Sequence, residues 1–167
     1  MDVSAGAGSK QKGQVFMRRK AKVLFFSTGD ATRSKMAAAL LGKLTDELEP
    51  ASTAVRSVAV NRMAEEVMSE IGVDISQQEA HSITESFHES YSVVVTLSDD
   101  SKERSPVWPF TRTLVHWNLP DPAAEEGPVE RKKEGFRKLR DEIQNRAVEL
   151  AKNITPKLRE RSRGVAA

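Results

Sequence analysis

The sequence predicts an α/β fold in three layers, a four-stranded parallel sheet with helices on both faces, and three observations carry that expectation. Apolar runs begin near residues 22, 54, 92 and 113, and stretches with helical spacing lie between and after them. The run Ser92-Val93-Val94-Val95-Thr96-Leu97 is continuous rather than alternating, as a strand buried on both faces requires. The first run, Val23 to Phe26, stops at a small polar turn and passes straight into a helix, which is the unit from which open parallel sheets are built.

Composition sets the outer bounds. The 167 residues suit one domain large enough to bury a core, expected over 21–156, and 38% hydrophobic with 30% charged residues is ordinary for a globular chain. A net charge of +2 is too small to point to nucleic acid. No apolar run approaches the ~20 residues of a membrane span, so no membrane partner is expected and the cytoplasm is the default compartment. There is no cysteine, hence no disulfide framework.

Residues 1–20 read as a basic leader with little to bury, Asp2 standing against Lys10, Lys12, Arg18, Arg19 and Lys20. It is either disordered or an arm that contacts a partner. The first helix is expected from Ser34 to Glu47, with Met36, Leu40, Leu41, Leu44 and Leu48 on one face and Pro50 closing it. Ala54 to Val60 reads as a short strand. Asn61 is placed to cap a second helix over Arg62–Ile71, which Gly72 ends. A short helix is expected over His81–Glu89. His81 and His88 are seven apart, and two histidines without a third ligand make no metal site; neither a metal nor an organic cofactor is implied. Thr113 to Trp117 reads as a last short strand. A covering helix follows over Val129–Ile154, with Phe136, Leu139, Ile143, Ala147, Leu150 and Ile154 as its stripe, and 157–167 reads as a frayed tail.

The stretch with chemistry is Ser27-Thr28-Gly29-Asp30-Ala31-Thr32-Arg33-Ser34. A strand end, a tight turn and a helix start direct backbone N–H groups at one spot, where the helix dipole favours negative charge. Arg33 adds a planar fork of donors that fits an oxyanion. A tetrahedral oxyanion is therefore expected against residues 27–34.

Ser27 and Arg33 are six apart with Ser34 next, and this spacing resembles the C-x5-R-S loop of the low-molecular-weight protein tyrosine phosphatase and thioredoxin-coupled arsenate reductase superfamily. The stretch "EVMSEIGVDIS" at 66–76 is similar to that family as well. So is "VVVTLSDDSKERSPVWP" at 93–109, where Ser98 and Ser105 stand seven apart in place of two cysteines. "HWNLPDPA" at 116–123 resembles the family's Trp…Asp-Pro segment and puts its acid at Asp121. The resemblance covers Lys22 to Ile154 and is closer to the reductase branch. It implies the low-molecular-weight phosphotyrosine phosphatase-like fold, and it maps the catalytic positions onto Ser27, Arg33, Asp121, Ser98 and Ser105. It also implies arsenate, phosphate or sulfate as the bound anion and a link to arsenic resistance.

All three expected cysteines are serine. A serine hydroxyl is protonated near neutral pH and has no thiol–disulfide cycle, so arsenate reduction by the family's route is not expected and phosphatase turnover would be very slow at best. Asp30 stands where the family commonly has Asn, and its charge opposes a dianion unless it turns away. The expected function is oxyanion binding without turnover. The alternative is a partner-binding pseudo-enzyme with no anion binding, its partner seated near Trp108, Phe110 and Trp117, although those aromatics read better as core.

Overall fold

A computed structural model describes residues 19–56 and 59–164. The leader as far as Arg18, the pair Ser57 and Val58, and residues 165–167 lie outside the described residues. Four strands, β1 (Ala21–Ser27), β2 (Leu48–Ala54), β3 (Val93–Thr96) and β4 (Thr113–His116), form one sheet in the order β2-β1-β3-β4, and every pairing is parallel. Five helices connect and cover them: α1 (Thr32–Leu44), α2 (Arg62–Ser69), α3 (Ile83–Phe87), α4 (Asp99–Glu103) and α5 (Val129–Gly164).

The chain places β2 on one side of β1 and β3 on the other, so the winding reverses between β1 and β3. In open parallel sheets the crevice outside the carboxyl ends of the strands at such a reversal is where ligands bind. The loop after β1 and the turn after β3 flank that crevice.

Burial explains why β1 is the axis. Val23, Leu24, Phe25 and Phe26 are all fully buried because both faces are covered. Val23 and Phe25 join Val93, Val95 and Leu97 against α1, α2 and α5, in a core that includes Met36, Leu40, Leu41, Phe136, Leu139 and Ile143. Leu24 and Phe26 face a smaller cluster with Tyr91, Val94 and Trp108.

Ion pairs lock α5 to α2. Arg137 and Arg140 each reach Glu70 at 2.9 Å. The Arg137 hydrogen bonds, with those of Arg140 beside them, hold the Glu70 carboxyl down to about 2.

Four expected boundaries are corrected. The second strand is Leu48–Ala54, not 54–60. Pro50, read as a helix stop, sits inside it, which an edge strand tolerates because its outer side needs no N–H. Leu48 is thus a strand residue and α1 ends at Leu44. The last helix does not stop at Ile154: it runs through Pro156 to Gly164, so 157–164 is helical rather than frayed. The helix expected over His81–Glu89 is shortened to Ile83–Phe87, since Ser82 and Glu85 form a reciprocal capping box at its start. His81 instead pairs through its backbone with β2, its N–H donating to Ser52 O at 2.8 Å. Asn61 caps α2, accepting from Met63 N at 2.9 Å, and Gly72 closes the turn after it at φ +74°.

Candidate functional site

The loop begins where β1 ends. Ser27 is fully buried, and its hydroxyl donates to the carbonyl of Asp30 at 3.0 Å. That bond folds residues 27–30 back on themselves. In this arrangement the Ser27 hydroxyl's hydrogen-bond acceptor is a backbone carbonyl, which is no base that could activate a nucleophile. Donation by Ser27 to a bound anion would require the hydroxyl to rotate away from Asp30.

Gly29 is not there for a left-handed backbone. A Cβ at this position would meet nothing within 4 Å, so the space above the loop is open. Ala31 stands at the N-cap position of α1 and supplies no side-chain cap, and the first turn of the helix carries no acidic residue. The first N–H groups of an α-helix have no acceptor within the helix, so these donors face the crevice. One of them is taken: the Asp30 carboxylate turns inward and accepts from Thr32 N at 2.9 Å. The Asp30 charge therefore does not point away. It lies against the same helix start that would hold an anion, and it competes there.

Arg33 and Ser34 leave the loop inside α1. Ser34 is buried and donates to Ala31 O at 3.1 Å. Thr32 is buried and accepts from Asn61 N at 3.1 Å, which fixes the loop against the start of α2. The Arg33 guanidinium donates one N–H to the carbonyl of Leu119 at 2.9 Å. A guanidinium carries five such donors, so this bond orients the group and leaves others for a ligand.

The Leu119 contact brings the Asp-Pro segment to the loop. Trp117 N and Leu119 N donate to Thr96 O and Leu97 O at 2.8 and 3.1 Å, carrying the chain beyond β4 along the sheet edge. Asp121 follows, exposed, and its carboxylate caps a short 3-10 turn (Pro122–Ala124) by accepting from Ala123 N at 3.0 Å. Gly135 of α5 admits that turn, since a Cβ there would lie 3.1 Å from Pro122.

Ser98 follows the carboxyl end of β3 and Ser105 follows α4, and both hydroxyls have other duties. Ser98 caps α4, and its hydroxyl meets that of Ser101 at 2.7 Å in a second reciprocal capping box. Ser105 accepts the indole N–H of Trp108 at 2.9 Å. Trp108 is 6% exposed and Trp117 5% exposed, packed on Phe26 and Phe25 respectively. Both are core, so the aromatic docking surface around Trp108, Phe110 and Trp117 reduces to Phe110, which is 78% exposed.

Sequence reasoning missed α4 and two contacts it makes. Asp100 accepts from the Thr28 hydroxyl at 2.6 Å, tying the loop to α4. Asp99 meets His116 Nε2 at 2.9 Å, and His116 Nδ1 meets the Thr96 hydroxyl at 2.8 Å. The signal was present: Ser98 followed by Asp99 and Asp100 is a cap with an acidic first turn.

A family model described as low molecular weight phosphotyrosine protein phosphatase matches residues 22–160. An arsenate reductase of Halalkalibacterium halodurans is 38% identical over 128 residues, covering 76% of this chain and 92% of that protein. An arsenate reductase of Bacillus subtilis is 35% identical over 130 residues, covering 77% and 94%. A solved arsenate reductase described as in the phosphate binding state aligns with a TM-score of 0.66 at 27% identity, over 80% of this chain and 98% of that one. A low molecular weight protein tyrosine phosphatase from T. tengcongensis, 22% identical with a TM-score of 0.63 over 80% of this chain and 99% of that one, shares the fold.

Proposed function

The chain belongs to the low molecular weight phosphotyrosine protein phosphatase family, with arsenate reductases among its relatives, and from that premise we propose that it binds a tetrahedral oxyanion at residues 27–34 and does not turn it over.

The observation that supports binding is the start of α1 at the sheet reversal. Ala31 supplies no side-chain cap, the Asp30 carboxylate takes Thr32 N alone, and Arg33 is held beside the remaining first-turn amides by Leu119. Amides and guanidinium need no thiol to hold arsenate or phosphate. A relative described in the phosphate binding state makes phosphate the first ligand to try, with arsenate beside it.

The reading of no turnover rests on the chemistry of three positions. Ser27 would have to attack the anion's central atom, but its hydroxyl donates to a carbonyl, and among the described residues no imidazole or carboxylate accepts from it. Reduction of arsenate needs two electrons, which a pair of thiols supplies by becoming a disulfide. Ser98 and Ser105 have no such couple, and their hydroxyls serve a helix cap and an indole. Asp121, the acid of the family pattern, is left capping a 3-10 turn.

The test is calorimetric titration of the protein with phosphate, arsenate and sulfate beside Arg33→Ala. Saturable binding that the variant loses supports the reading. Absence of binding in the unmodified protein overturns it.

A further inference from the structure

At the other end of the sheet a cavity of about 640 Å³ lies between β4 and the second half of α5. That volume is typical of sites for small organic molecules. We propose that it is a binding site for a small amphipathic carboxylate, an apolar chain or ring carrying one anionic head.

The apolar part comes first. Thr113, Val115 and Trp117 are alternate residues, so they share the face of β4 turned to α5 and form the floor. Leu150, Ile154 and Leu158 repeat every four residues along α5 and form the facing wall. β4 is an edge strand of the sheet, so among the described residues no further strand closes the groove from outside.

The head group follows from charge. Arg112 at the start of β4, with Lys157 and Arg161 one turn apart on α5, stands at the mouth. Among the described residues none of these three forms an ion pair, whereas neighbouring Arg146 is engaged by Glu142 at 2.7 Å and Arg159 by Glu47 at 2.5 Å. Glu149 is the one further carboxylate on the lining, against three unneutralised cations. Asn145 and Asn153 add amide donors on the same helix face.

An apolar floor with a cationic mouth fits a ligand that is apolar at one end and anionic at the other. Inorganic phosphate would leave the floor empty. The site is distinct from the loop, because Ser92, Val93, Arg112 and Thr113 stand where β3 and β4 begin, and the loop follows the end of β1 in the same parallel sheet. It stands independently of the oxyanion reading.

Calorimetric titration with decanoate, decylammonium and decanol tests it, using the full chain and the triple variant Arg112→Glu/Lys157→Glu/Arg161→Glu. A second variant, Asn153→Trp, fills the groove without changing charge, and circular dichroism checks that both fold. The expected result is one decanoate per chain, with decylammonium weaker by about tenfold or more and no competition from phosphate. The charge reversal lowers decanoate affinity by about tenfold and reverses the preference for the head group, and Asn153→Trp lowers affinity for decanoate and decanol together. No saturable decanoate binding overturns the proposal. So does equal binding of both head groups, or decanoate affinity unchanged in the folded triple variant.

Discussion

Two segments, 27–34 after β1 and 98–105 after β3, put their serine hydroxyls to different uses. In both, serine stands where the family resemblance of the sequence leads one to expect a thiol. In the first, the Ser27 hydroxyl donates to Asp30 O and supports the shape of a loop that still presents helix-start amides and Arg33 to the crevice. In the second, Ser98 has become the cap of α4 and Ser105 the acceptor for Trp108, so both hydroxyls are absorbed into structure. If the proposed binding holds, the difference teaches that binding and electron transfer are separable on this fold. An anion cradle is made mostly of backbone and one arginine, and it outlives the sulfur. A dithiol couple consists of its sulfurs and does not.

The comparison breaks most sharply at Arg33. Arg33→Ala removes a charge-assisted donor and the tie to Leu119, and oxyanion affinity should fall by about 10- to 100-fold by calorimetry. An unchanged affinity would mean that the loop amides bind without it.

Asp30 is the next lever. Its carboxylate already accepts from Thr32 N, so it opposes an incoming dianion at the same helix start. Asp30→Asn keeps an acceptor oxygen there and removes the charge, and affinity for phosphate should rise by about threefold to tenfold. A fall would show that the charge instead shapes the loop.

The segments should also differ as hosts for a thiol. In Ser27→Cys the first-turn amides and Arg33 stabilise a thiolate, so its ultraviolet titration should fall at least about one unit below the ordinary value near 8.5. The thiol of Ser105→Cys, beside an indole N–H and away from the start of α1, should titrate closer to that value. Matching titrations would erase the distinction.

The smallest expected effect lies in the second segment. Ser98→Ala removes the α4 cap and should cost about 1 kcal/mol in denaturant unfolding, with phosphate affinity nearly unchanged. A large loss of affinity would show that the Thr28–Asp100 tie transmits the damage to the loop.

A control lies away from both segments. The folded-state carboxyl of Glu70 is depressed to about 2, so its contribution is present at neutral pH and is lost as pH falls from the ordinary 4.5 toward 2. Glu70→Gln should flatten acid unfolding across that window and leave phosphate binding intact.

Much of this was legible in the sequence, for reasons that can be named. β1 and β3 are covered on both faces and read as continuous apolar runs, and α1 and α5 carry clear stripes. β2 was not legible, because an edge strand has only one side to satisfy and its LEPASTA sequence looks like a helix end followed by a turn. α4 spans five polar residues and has no apolar period to detect. The loop was legible by spacing, since the helix start follows from the turn. The inward turn of Asp30 and the Arg33–Leu119 tie were not, because they depend on rotamers and on a segment 86 residues away.

The most direct measurement of the central claim is a phosphate titration of ¹⁵N-labelled protein followed by its amide resonances. The account predicts saturable shifts centred on Gly29 to Ser34, with Ser98 and Ser105 much less affected. Shifts confined to other regions, or none at millimolar phosphate, would contradict it and leave the loop an empty relic of the family's chemistry.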